Sequence, residues 1–148
     1  MALRPKSAWQ FFACQVTLVA MSGARCDSHK DLVVWQKALA LAVEIYFLAE
    51  QFPRAERFGL VAQMRRAAVS VPSNIAEGSA RRTTRDFVAF LHVARGSLAE
   101  LETQLLLAGR IGYLGQMQLE STLPKLDEIG RLLTAVIAGL RRRDAASY

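Results

Sequence analysis

The stretch that decides the fold is Phe52–Arg82, FPRAERFGLVAQMRRAAVSVPSNIAEGSARR. With Leu60 set at zero and an advance of about 100° per residue, Met64, Ala67, Val71, Ile75 and Gly78 fall within roughly 60° of one direction. That clustering predicts an amphipathic helix with one core face. Arg66, Ser70, Ser73 and Glu77 recur at helical spacing as a second stripe, polar and partly self-pairing. Val69 and Ala76 point nearly opposite to the core, which a simple surface helix would not require. Pro72 lies inside the helix and removes one backbone donor, so a kink is expected there. Ser70 and Ser73 are placed to bond the carbonyls it frees. Gly78 either admits a second helix at close range or opens the helix end.

Outward from this stretch the chain reads as further helices. A first helix is expected from about His29 to Gln51, stopped by Phe52-Pro53, with Asp31 suiting the dipole at its start. Leu32, Trp35, Leu39, Ala42, Tyr46 and Ala49 make one apolar seam, and Val34, Ala38, Leu41, Ile45, Leu48 and Phe52 make another. Two seams imply cover on both sides. The expectation is that Val34, Leu41, Ile45 and Leu48 need a second copy of the chain to hide them. The second helix follows the loop Pro53–Arg57, with Glu56 near its start.

A third helix opens at Thr83, with Asp86 three residues on in capping-box spacing. Its core face reads Phe87, Phe90, Leu91, Ala94, Leu98, Leu101, Leu105 and Ala108, and Gly109 and Gly112 mark its end. Gly96 and Ser97 in its middle weaken the helix, so a close helix approach is expected to account for both. After a short connection at Tyr113-Leu114, a fourth helix runs from about Gln116 to Arg142. Leu119, Leu123, Leu126, Gly130, Leu133, Ile137 and Leu140 form its seam, flanked by Ile129, Leu132 and Val136. Pro124 is awkward in its first turns and suggests a later start near Thr122. Four long amphipathic segments with short connections give an all-α, antiparallel up-down-up-down four-helix bundle.

Several of these segments together resemble a known family. They are Asp31–Ala38 (DLVVWQKA), Phe52-Pro53 with Phe58-Gly59-Leu60, Gln63–Ala67 (QMRRA), Ser73–Gly78 (SNIAEG) and Ala94–Thr103 (ARGSLAELET). In that order, from about Asp31 to Leu140, the chain is similar to the bacterial four-helix bundle proteins of intervening sequences in 23S ribosomal RNA genes. The accessory proteins of diversity-generating retroelements are similar to that family. The resemblance implies a cytoplasmic, non-enzymatic bundle without a cofactor that assembles as a ring-like homo-oligomer, a pentamer where members are known. RNA or a reverse-transcriptase-like protein is the partner it suggests, with no membrane and no small-molecule substrate.

Composition bounds the rest. The chain has 148 residues, 52% of them hydrophobic, and a net charge of +6. That is one domain's worth of chain, and the surplus apolar surface points to self-association. Residues 1–30 carry four basic residues against Asp27, and the remainder carries fifteen basic against twelve acidic, so each part contributes +3. The bundle itself is only mildly basic, and clustering matters more than the total. Residues 1–30 read as an N-terminal extension, 31–143 as the bundle and 144–148 as a tail. The extension has the outline of a secretory signal in Arg4, Lys6, the apolar run Phe11–Met21 and Ser22-Gly23-Ala24. It reads instead as a disordered tail or a start mis-assigned upstream of Met21, with the signal or an extra helix as the alternatives. Cys14 and Cys26 both precede the bundle, so no disulfide or cysteine zinc site can staple its core.

Signatures of catalysis are missing. His29 and His92 fall in different elements, and His92 sits about 140° from Phe87, off the core face. Glu100 and Glu102 point to different sides and lack a histidine at metal-binding spacing. Ser97 follows a glycine in mid-helix, not at a strand-to-helix elbow. Asn74 and Glu77 are expected to make interhelical or intersubunit hydrogen bonds that fix register, with Arg65, Arg66 and Arg95 as partners. With Trp35, Gly78, Gly96 and Ser97 they make up the structural or interface motif. In an up-down bundle the second-to-third turn and the end of the fourth helix share one end. Arg81, Arg82 and Arg85 therefore join Arg141, Arg142 and Arg143 as candidate nucleic-acid-binding residues. The alternative is a protein–protein scaffold with ordinary solvated ends.

Overall fold

A computed structural model describes residues 28–146. After a 3₁₀ turn at His29–Asp31 come α1 (Val33–Ala49), α2 (Leu60–Ser79), α3 (Thr84–Arg110) and α4 (Gln116–Ala145). A second 3₁₀ turn, Arg54–Glu56, joins α1 to α2. The helices alternate in direction around one core, α1 beside α2 and α4, α3 beside α2 and α4, so α1 and α3 are diagonal with no close backbone approach. The all-α four-helix bundle is thus as expected. The readings of the N-terminal extension up to residue 27 and of the last two tail residues lie outside the described residues.

The core is built from the residues the helical periodicity selects. Leu41, Ile45, Met64, Ile75, Leu91, Leu101, Leu105, Ile129 and Leu133 are all essentially fully buried. Each contributes about 1.5–3 kcal/mol through removal of its side chain from water. Of the second seam, Val34, Ala38, Leu41 and Ile45 on α1 and Phe52 just after it are buried, with Leu48 half-buried. This corrects the expectation that Val34, Leu41 and Ile45 need a second copy, because one chain covers them. The first seam divides instead. Ala42 and Ala49 are buried, while Leu39 and Tyr46 lie open beside Val43 and Phe47, the last 67% exposed. On α4 the flanking Ile129 is a core residue, buried more deeply than Leu119 or Leu123 of the expected seam.

Helix ends follow local chemistry, with some shifts. The Thr83 hydroxyl accepts from the Asp86 N–H at 3.1 Å, the expected cap of α3. The α2 N-terminus is capped by Glu56, whose Oε2 accepts from the Leu60 N–H at 3.1 Å. The other oxygen of Glu56 accepts from the Tyr113 hydroxyl at 3.2 Å, which ties the α3–α4 turn to the α1–α2 turn. This hydrogen bond and the charge behind it raise the Tyr113 pKa above its ordinary value of 10.0. Gly112 closes α3 with φ of +86°, a conformation that favours glycine. Gly109 lies inside α3, where it packs against Leu119. The first helix is shorter than expected because the backbone at Leu32 is extended. Conversely, α4 starts at Gln116, not near Thr122, and passes through an exposed Pro124. The Gln118 side chain secures that start by accepting from the Gly115 N–H at 2.8 Å.

Between α2 and α3 the packing is close. A Cβ added to Gly78 would sit 2.7 Å from Phe90 Cβ and 2.8 Å from Phe87 Cδ2, so this glycine admits α3 as anticipated. Ser70 and Ser97 join the same two helices through a 2.8 Å hydroxyl–hydroxyl bond. The α2 helix continues across a buried Pro72 to Ser79. The Ser70 hydroxyl bonds Ser97 of α3, and the Asn74 amide donates to the Ser70 carbonyl at 2.8 Å, which is not the Ala68 carbonyl that Pro72 frees. Polar staples hold α1 against α4. Glu44 accepts from Thr122 at 3.0 Å and pairs with Lys125 at 2.5 Å, and Lys37 pairs with Glu128 at 2.8 Å.

Candidate nucleic-acid interface

The basic candidates gather at one end of the bundle, where α2 hands over to α3 and α4 finishes. Arg81 follows the last turn of α2. It pairs with Glu77 one turn back, and its guanidinium stacks on the Phe90 ring 4.7 Å from the centroid. Arg82 is exposed in the turn, and Arg85 is exposed in the first turn of α3. Arg85 and Arg141 line one recess of about 280 Å³ together with Thr84, Val88 and Asp144. Arg141 also reaches His92, Nη2 to Nε2 at 3.2 Å, and this orients it along α3. Arg142 and Arg143 are exposed in the last turns of α4.

Counting Lys30 and Asp31 from the turn before α1, this end holds seven cations against four carboxylates: Asp31, Glu77, Asp86 and Asp144. Free N–H groups of the first α3 turn add a partial positive charge. Chemically, such an end can attract an anion and form charge-assisted hydrogen bonds to it. The opposite end is different. There Phe58 is 89% exposed and Met117 84% exposed.

The structural motif residues divide in their roles. Asn74 donates to Ser70 Oγ at 2.9 Å and Ser70 bonds Ser97, so the chain Asn74–Ser70–Ser97 links α2 to α3. Within the described chain Glu77 pairs with Arg81, Asn74 bonds Ser70, and Arg65 stacks on Tyr46, so the anticipated arginines do not meet Asn74 and Glu77 there. Arg65 stacks on Tyr46 of α1 at 4.8 Å, with its Nε enclosed and without an acceptor. Trp35 is half-buried and meets His29 edge-on at 5.0 Å. Arg66 is exposed. Gly96 is exposed too, and a Cβ built on it meets nothing within 4 Å. Among the described residues no helix approaches Gly96, whereas Ser97 is explained by its bond to Ser70. Sequence reasoning did not anticipate Glu56, Tyr113 or the Arg65–Tyr46 stack. All three depend on which turns and faces meet, and no local pattern encodes that.

Fold and site together define a small helical bundle with arginines clustered at one end, while the opposite end exposes Phe58 and Met117 beside Arg54, Arg57 and Arg110. The family follows from comparison. The model of the 23S rRNA-intervening sequence protein family matches residues 30–135, and the chain belongs to that family. It is also similar to a crystal structure of a protein with unknown function from the S23 ribosomal protein family of Bacteroides thetaiotaomicron VPI-5482. The two are 31% identical with a TM-score of 0.67, over 71% of this chain and 98% of that one. No curated protein matches the chain. No described helix is long and apolar enough to cross a membrane.

Proposed function

We propose that this chain is a self-associating, non-enzymatic binding module that holds RNA, or a protein carrying RNA, on its arginine-rich end. The observation that carries the reading is the convergence of Arg85 and Arg141 on one recess, with Arg82, Arg142 and Arg143 exposed at the same end of the bundle. Phosphate contacts by arginine supply most sequence-independent affinity for nucleic acid. Self-association, a pentamer by the family resemblance, multiplies the effect, because several copies of one end on one face act as a multivalent surface.

Filter binding of a structured RNA to the full chain tests this. The informative variant is Arg82→Ala/Arg85→Ala/Arg141→Ala, since Arg81 is already engaged with Glu77 and Phe90. Its control is Arg54→Ala/Arg57→Ala/Arg110→Ala at the other end. Loss of affinity in the first variant and retention in the second supports the reading, and equal behaviour of the two removes it. A scaffold that binds another protein without nucleic acid is the second reading, favoured by the exposed Phe58 and Met117. Wild-type chain that ignores RNA at low salt would favour it.

A further inference from the structure

The outer faces of α1 and α3 lack cover among the described residues. On α1, Leu39, Val43, Tyr46 and Phe47 form one exposed stripe of large side chains. On α3, Ala89, Gly96, Glu100, Thr103 and Leu107 recur at helical spacing and are all exposed. Gly96 is the informative member of this second stripe. Glycine in the middle of a helix is unfavourable, and a Cβ there would meet no described residue within 4 Å. Such a glycine earns a place where another backbone comes close from outside.

We propose that the α1 stripe of one copy seats on the Gly96 stripe of α3 of the next copy. This inference rests on the self-association in the proposed function and names the two faces that mate. Complementary size favours the pairing, because bulky Leu39 and Val43 meet the small Gly96 and Ala99. Height matches as well. Arg65 stacks on Tyr46, so those two residues share a level. Ser70 bonds Ser97, and five residues up α2 from Ser70 correspond to five up the antiparallel α3 from Ser97. Tyr46 therefore stands level with Glu102, Val43 with Ala99, and Leu39 with Arg95, one residue before Gly96. A rotation about an axis parallel to the bundle preserves these levels and lays α1 of one copy beside α3 of the next.

Charge matches at the same height. Arg65 makes no ion pair within the described chain, and Glu100 lies on the α2 side of the α3 outer face, within a turn of that level. Because α1 and α3 are diagonal, their outer faces point in opposite directions. The contact is then head-to-tail, and a single kind of interface covers both stripes, closing a ring or running on as a filament. Pairing α3 with α3 would leave the α1 stripe bare.

Sedimentation velocity on the full chain tests the assignment. Wild type is expected at several times 16.4 kDa. Gly96→Arg is expected at the monomer mass with an unchanged helical circular dichroism signal. Arg65→Glu and Glu100→Arg should each raise the concentration for half-assembly about tenfold, and the double variant should recover most of that loss. Recovery in the double variant requires Arg65 to face Glu100 across copies, so it decides the matter even where Gly96→Arg fails to fold. A monomeric wild type, an assembled Gly96→Arg, or a double variant no better than the worse single one overturns the pairing. RNA retention measured on the same samples keeps the two ideas apart, since monomers that still bind RNA leave the basic-end reading standing.

Discussion

Replacing Gly78 by alanine tests how tightly α2 and α3 are pressed together. The new methyl carbon would lie 2.7 Å from Phe90 Cβ and 2.8 Å from Phe87 Cδ2. Carbon atoms pack comfortably at about 3.5–4.0 Å, so the helices must part by roughly 1 Å. The nearer atom is a Cβ fixed to the α3 backbone, and no rotamer change moves it aside. Overpacking of this kind costs about 1–3 kcal/mol. Alanine's better helix propensity returns about 0.5–1 kcal/mol. The net expectation is a loss of about 1 kcal/mol, within a span of roughly 0–2.5 kcal/mol set by the excess of the first effect over the second. Urea unfolding followed by circular dichroism should show a lower midpoint at unchanged slope. Gly130→Ala is the control, because its Cβ would meet only Leu98 Cδ2 at an ordinary 3.6 Å. It should stabilise by about 0.5–1 kcal/mol. If Gly78→Ala stabilises the chain as Gly130→Ala does, the close approach of α2 and α3 is refuted.

Three further outcomes are expected. Leu133→Ala empties a fully buried site facing the other helices and should cost about 2–5 kcal/mol in the same unfolding assay. Thr83→Ala removes the side-chain acceptor for the Asp86 N–H and should cost about 1 kcal/mol, seen as faster amide exchange in the first turn of α3. Tyr113 has its pKa raised by its bond to Glu56, so the stabilisation is complete below the unfolded value of 10.0 and disappears as pH rises through the higher folded value. Melting temperature should therefore fall more steeply above pH 10 in wild type than in Tyr113→Phe.

Much of the fold is legible in the sequence because helical periodicity is a local property. Leu91, Ala94, Leu98, Leu101, Leu105 and Ala108 recur at helical spacing and are all buried. The cap at Thr83 and the tight packing at Gly78 follow from single residues whose chemistry restricts where they can sit. The two seams of α1 are not distinguished by sequence. Periodicity marks both as apolar, but which one faces inward depends on how α1 is rotated against α2 and α4, a choice made by tertiary packing. Pro124 misleads for a related reason: it sits on the exposed side of α4, and the helix runs through it. At the candidate site, the shared end of the six arginines follows from topology alone. The pairing of Arg81 with Glu77, its stacking on Phe90 and the reach of Arg141 to His92 needed coordinates, since they depend on side-chain direction.

The salt dependence of RNA affinity tests the function most directly. Each phosphate neutralised on a single strand contributes about 0.7 to the slope of log affinity against log salt. Wild type should show a steep negative slope, and Arg82→Ala/Arg85→Ala/Arg141→Ala should flatten it by about 2. A wild-type affinity that ignores salt, or a slope that the three substitutions leave unchanged, would contradict the assignment of this end to nucleic acid.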